Sequence, residues 1–127
     1  MPKSFIWVGL LVWMSLLMGL SLTSTNNFPK IDFTYTDKFY HFTFYFVLQL
    51  GWLLFWRIIK GLTWQNSARY ALTISFTYGL LIEFLQKYFT LYREFDWWDV
   101  AFNVLGAIFG TIVVLRFQTF FDQKVFK

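Results

Sequence analysis

Residues 97–115 read Trp97-Trp98-Asp99-Val100-Ala101-Phe102-Asn103-Val104-Leu105-Gly106-Ala107-Ile108-Phe109-Gly110-Thr111-Ile112-Val113-Val114-Leu115. A helix needs about 20 mainly apolar residues to cross a bilayer, and this run has that length with one acid near its start. Its polar and small residues are not scattered. With Asp96 just ahead of the run, Asp96, Asp99, Asn103, Gly106 and Gly110 follow alternating steps of three and four. That spacing lays them along one face of a helix. The stretch therefore predicts a membrane-crossing helix with an inward seam. Gly106 and Gly110 also form a GxxxG pair, which lets a second helix come close to the backbone. A homodimer is one use of that pair; Ser15 and Gly19 on the first run offer a small-residue counterpart within the chain.

Three more runs have the same character: Phe5–Leu22, Phe39–Trp56 and Tyr70 to about Phe89. Periodicity alone does not separate a buried strand from a buried helix, but length does, and runs this long are helical. Composition agrees. Of 127 residues, 57% are hydrophobic and 14% charged, against about 25% charged in a soluble domain. Aromatic residues reach 25%, as expected of a small membrane protein with rings at headgroup level. These numbers exclude a disordered chain. The absence of cysteine and the single histidine, His41, exclude disulfides, thiolate chemistry and Cys- or His-rich zinc sites. The net charge of +4 comes from scattered cations, so it predicts no nucleic-acid partner and is better read as membrane topology.

The expectation is an all-α membrane protein: one domain over residues 1–127, folded as a four-transmembrane-helix bundle. The first run resembles a signal peptide in having Lys3 ahead of it, but it exceeds the usual 7–15-residue apolar region and lacks a clear cleavage site, so a retained span is expected. With the N-terminus inside, Lys3, Arg57, Lys60, Arg69, Arg116, Lys124 and Lys127 are cytoplasmic, and Lys30, Lys38, Lys87 and Arg93 lie outside. Positive residues favour the cytoplasmic side; both termini are therefore expected there. Thr36 or Asp37 is the expected N-cap of the second helix, and Gly61 its stop.

Ionisable groups gather at the outer ends. The second helix opens with Asp37, Lys38 and His41, and the third ends with Glu83, Gln86 and Lys87. Arg93, Glu94 and Asp96 follow in the loop, with Asp99 and Asn103 at the start of the fourth helix. Asp37, His41 and Tyr45 share one helix stripe, and Ser75, Gly79 and Glu83 another. At about 1.5 Å per residue, Glu83 lies roughly 20 Å into its span. A carboxylate facing lipid at such depth costs on the order of a few kcal/mol, so Glu83 must face the bundle with a partner or be protonated.

Together, Asp37-Lys38-x-x-His41-Phe42, Glu83-x-x-Gln86 and Arg93-x-x-Asp96-x-x-Asp99-x-x-x-Asn103-x-x-Gly106 resemble the VanZ-like family. These are small four-span bacterial membrane proteins named after a member associated with teicoplanin resistance. The resemblance runs from the first span to about Arg116 and implies a multi-pass protein of the bacterial cytoplasmic membrane with a resistance phenotype, not an established reaction.

Each residue also has a plainer reading. Asp96 can be the N-cap of the fourth helix, Asn103 interhelical glue, and His41 an interfacial histidine bonded to Asp37 or a carbonyl. Glu83 can be half of a packing ion pair with Arg93 or Lys38. Lys87 is expected to snorkel to the headgroups. On the functional reading, Asp37, His41, Glu83 and Asp99 are the candidate catalytic groups, with Asp37, His41 and Glu83 supplying acid/base chemistry or holding a divalent metal. Lys38, Gln86, Arg93, Asp96 and Asn103 are the candidate ligand-binding groups, with Lys38 and Arg93 on the phosphate of an envelope lipid. Two alternatives stay open. One is a non-catalytic interaction protein whose cluster is a structural network. The other, less favoured, is ion transfer, for which the inner half offers only Gln49 and Ser75.

Overall fold

A computed structural model describes residues 3–22, 34–89 and 95–125; for residues 34–37, 124 and 125 it describes the backbone alone. The described residues are helical, without strands. The helices are α1 (Lys3–Leu22), α2 (Thr34–Leu54, continued by a wide π turn over Phe55–Ile59), α3 (Trp64–Phe89) and α4 (Trp97–Arg116). A short C-terminal turn follows over Gln118–Phe120 and Phe121–Val125. Three segments, Lys3–Leu22, Lys38–Ile59 and Trp97–Arg116, are long and apolar enough to cross a membrane. At 26 residues and about 1.5 Å per residue, α3 has the length as well. It is more polar, however, because it carries Gln65, Asn66, Arg69, Thr73 and Glu83.

Two helix starts differ from the sequence expectation. α2 begins at Thr34, which moves Thr36 and Asp37 from the cap into the first turn. α3 begins at Trp64 rather than Tyr70 because Thr63 caps it: the Thr63 hydroxyl accepts from the Asn66 amide at 3.1 Å. Gly61 ends α2 as expected, with a φ of +71° that a side chain would disfavour.

The packing register is read from facing residues. Lys38, His41, Phe42, Phe46 and Gln49 of α2 meet Asp99, Asn103, Gly106, Gly110 and Thr111 of α4 in the same order, so these helices run parallel. α3 runs against both, with Tyr45 beside Gly79 and Gln49 bonded to Ser75. The Trp13 indole donates to the Phe44 carbonyl at 3.0 Å, and Tyr78 and Gln86 of α3 donate to the Met14 and Ser21 carbonyls of α1. The bundle therefore alternates in direction, and the start of α1 and the end of α4 lie at the same end.

Its closest approach is α2 on α4. A Cβ at Gly106 would lie inside contact distance of the Phe42 carbonyl oxygen, and one at Gly110 would come within 3.0 Å of the Phe46 carbonyl oxygen. The GxxxG seam is thus used inside one chain, with α2 as its partner, whereas a Cβ at Gly19 of α1 would meet nothing within 4 Å.

One tier further in, Ser75 donates to the Gln49 carbonyl at 2.9 Å, Gln49 donates to the Thr111 hydroxyl at 2.8 Å, and Thr111 donates to the Ala107 carbonyl at 2.9 Å. Gln49 and Ser75, expected to be isolated, are joined to each other and to α4. At the far end Asp122 accepts from the Trp64 indole at 3.1 Å and from Arg57 at 3.3 Å, tying the C-terminal turn to the start of α3.

Gly106→Ala should destabilise by about 1–3 kcal/mol, because its methyl meets backbone rather than a movable side chain. Gly9→Ala, where nothing lies within 4 Å, should be close to neutral. Thermal melts of both variants in one detergent check the difference.

Candidate functional site

At the end where α2 and α4 begin and α3 finishes, buried charge collects. Glu83 is 0% exposed, and Lys38, His41, Asp99 and Asn103 are each 9% exposed or less. The Lys38 ammonium donates to Asp96 Oδ2 at 2.8 Å and to Asp99 Oδ1, bridging the loop and the first turn of α4. The other Asp99 oxygen, Oδ2, lies 3.4 Å from His41 Nε2.

The opposite ring nitrogen, His41 Nδ1, lies 2.9 Å from Asn103 Oδ1. An amide oxygen only accepts, so Nδ1 carries a proton and donates. Glu83 enters from α3, and its Oε2 accepts from the Asp96 backbone N–H at 3.2 Å. One oxygen of Glu83, one of Asp99 and one nitrogen of His41 all lie within 4.8 Å of one another.

Local sequence explains the assembly. Asp96 is the N-cap of α4, accepting from the Trp98 amide at 2.9 Å, so the capping and site readings hold for the same side chain. Asp99 and Asn103 follow on the buried face of α4. The stripes read from sequence are the buried ones: His41 with Tyr45, and Ser75 with Gly79 and Glu83. Gln86 donates to the Ser21 carbonyl at 2.9 Å, which satisfies a helix-end carbonyl of α1. Lys87 is exposed, its ammonium 5.4 Å from the Tyr88 ring. Arg93 and Glu94 lie outside the described residues, as does the side chain of Asp37.

Sequence reasoning gave no role to Tyr45, although it stands one turn from His41. Its hydroxyl is buried and has no hydrogen-bond partner among the described residues. The tip of its ring and the Asn103 amide nitrogen both stand where a side chain at Gly79 would be, at 3.3 and 3.1 Å from that position. Thr111 was also missed, though Asn103, Ala107 and Thr111 repeat every fourth residue.

Fold and cluster together define a small membrane protein, helical through its described elements, with a buried cluster of polar and ionisable side chains at one end of its bundle. The family model for VanZ/LLP1 matches residues 5–118, and the chain belongs to that family. No curated protein and no solved structure matches it.

The Lys38 hydrogen bond holds the Asp96 carboxyl below its ordinary pKa of 3.8; partial burial opposes this and the Trp98 amide adds to it. A carboxyl lowered in the folded state stabilises above its unfolded pKa and loses that contribution as pH falls through the folded value. Melting temperature should therefore fall below about pH 4, and Asp96→Asn should flatten that limb in a pH series. Lys38→Met should cost about 3–5 kcal/mol by leaving Asp99 buried without its ammonium. A double-mutant cycle with Asp99→Asn should return a coupling of about 1–3 kcal/mol.

Proposed function

We propose that this VanZ/LLP1-family chain is a four-span protein of the bacterial cytoplasmic membrane with both termini in the cytoplasm. Its polar pocket opens outward and binds or modifies a phosphate-bearing envelope lipid. Contact with that lipid lowers sensitivity to teicoplanin-type glycopeptides, the phenotype attached to the family's naming member.

One observation carries this reading: the aromatic collar around the polar end. Phe39 and Tyr40 of α2, Tyr88 and Phe89 of α3, and Trp97 and Trp98 of α4 are all at least half exposed. Aromatic side chains concentrate at the headgroup level of a bilayer. A pocket ringed by them therefore stands where lipid phosphates do. The alternation of helix direction and the excess of cations at the opposite end support the orientation. In this reading Lys38 exchanges Asp96, its half-exposed partner, for a phosphate oxygen while keeping buried Asp99, and Arg93 is the second cation.

A second reading has its own observation. Lys38, Asp96, Asp99, His41 and Asn103 are bonded to one another, as a network that only joins helices would be.

The two readings separate in a glycopeptide-sensitive Gram-positive host. Expression should raise the inhibitory concentration of teicoplanin. His41→Ala, Glu83→Gln and Asp99→Asn should each abolish the rise at unchanged membrane level. Loss of protein in step with loss of resistance favours the structural network. Full resistance with all three residues replaced, or a cysteine at Asn27 that an impermeant reagent fails to label in intact cells, refutes the proposal.

A further inference from the structure

The geometry points to a divalent transition-metal site of the zinc type, formed by His41 Nε2, Asp99 Oδ2 and a Glu83 carboxylate oxygen. The first observation is the His41 ring. Its Nδ1 proton is committed to Asn103 Oδ1 at 2.9 Å, so a neutral imidazole turns the Nε2 lone pair toward Asp99 Oδ2, 3.4 Å away. Glu83 brings another carboxylate oxygen within 4.8 Å of both. Three donor atoms of metal-ligating type thus converge within one coordination sphere, beside the Lys38 ammonium that holds the other Asp99 oxygen.

The surroundings fit the metal. Ligating histidines regularly donate their other ring N–H to an oxygen acceptor, which fixes the tautomer and orients the ring; Asn103 does this for His41. One imidazole and two carboxylates suit zinc or a similar ion better than magnesium or calcium, which prefer all-oxygen shells. Zinc bonds of about 2.0–2.2 Å set tetrahedral donors about 3.4 Å apart. Donors already within 4.8 Å reach that spacing by small side-chain rotations.

The second observation is independent of the acids. Tyr45 is 1% exposed, and its hydroxyl has no hydrogen-bond partner among the described residues. A buried, unsatisfied hydroxyl is costly and calls for an explanation. The tip of the ring occupies the gap left by Gly79, one turn before Glu83 on α3, with Glu83 in electrostatic reach. A water on the inner side of the bound metal, facing Tyr45, is the partner that would satisfy it. Tyr45 is thus a positioning residue under the site, not a ligand.

The test uses the full chain in detergent, stripped with a chelator and titrated with zinc, with magnesium as the comparison. One zinc per chain is expected, with magnesium failing to compete at a hundredfold excess. Cobalt should give visible absorption that one equivalent of zinc abolishes, a readout that needs no variant. His41→Gln and Asp99→Asn should weaken zinc binding at least tenfold. Tyr45→Phe should melt at or above the wild-type temperature when metal-free, yet bind zinc about 10–100-fold more weakly, as loss of an outer-shell partner does. Absence of stoichiometric zinc binding, or unchanged affinity in His41→Gln, overturns the proposal. The site shares its pocket with the headgroup reading without depending on it. Binding of phospholipid vesicles to the stripped protein is scored separately, so either reading can fail alone.

Discussion

Everything at the polar end depends on how closely α2 and α4 approach. Phe42 and Phe46 present carbonyl oxygens where side chains at Gly106 and Gly110 would stand, so the two backbones meet with little between them. Because the helices are parallel, this contact fixes register over several turns. It sets Lys38 against Asp99 and His41 against Asn103 above, and Gln49 against Thr111 below. A longer residue at either glycine would push α2 outward and part all three pairs together. In a bilayer, where apolar burial between helices contributes little, close packing and interhelical hydrogen bonds must hold the bundle.

The distribution of polarity follows from that solvent. Fully buried positions include Gln49, Ser67, Ser75, Glu83 and Gln86, whereas Phe76, Leu81, Leu105, Phe109 and Ile112 are exposed. Lipid accepts the apolar exterior, and each polar group turned inward needs an internal partner. The Trp13 indole, the Tyr78 hydroxyl and the Gln86 amide find theirs in backbone carbonyls of neighbouring helices. The ion cluster is different in kind. Desolvating several charges costs several kcal/mol per ion, repaid only by good geometry and additional hydrogen bonds. Lys38 achieves this by bridging two aspartates, and Glu83 by accepting the Asp96 amide.

Much of this was legible in the sequence. The three-four spacing from Asp99 to Gly110 is the buried seam of α4, and the stripes through His41 and Glu83 are the faces that meet it, because helical period and the cost of a lipid-facing acid leave few other arrangements. Pairwise choices were not legible. GxxxG states that a helix approaches, and nothing in the motif says whether that helix is α2 or another copy. The Thr63 cap is not visible in hydropathy, since Trp64, Gln65 and Asn66 do not extend an apolar run, whereas capping depends on the backbone amides. Gln86 sits on the site's face by spacing, but its long side chain reaches the end of α1. Arg93 and the Asp37 side chain, both expected at the site, lie outside the described residues.

The vertical order of polar groups bears on what the bundle can do. At the collar end lie ionisable side chains: Lys38, Glu83, Asp96 and Asp99. Beneath them the Tyr45 hydroxyl stands beside Gly79, and one turn further the neutral tier of Gln49, Ser75 and Thr111 crosses all three helices. Every donor in that tier points in one sense, from Ser75 to Gln49 to Thr111 to the Ala107 carbonyl, and the chain of bonds ends on backbone. Among the described residues no lysine, arginine, histidine or acid joins it. A proton or cation reaching the tier from the charged cluster would meet amide and hydroxyl groups already committed to one another. The neutral tier therefore acts as a floor. Charge is concentrated on one side of it, the arrangement on which the proposed one-ended site rests.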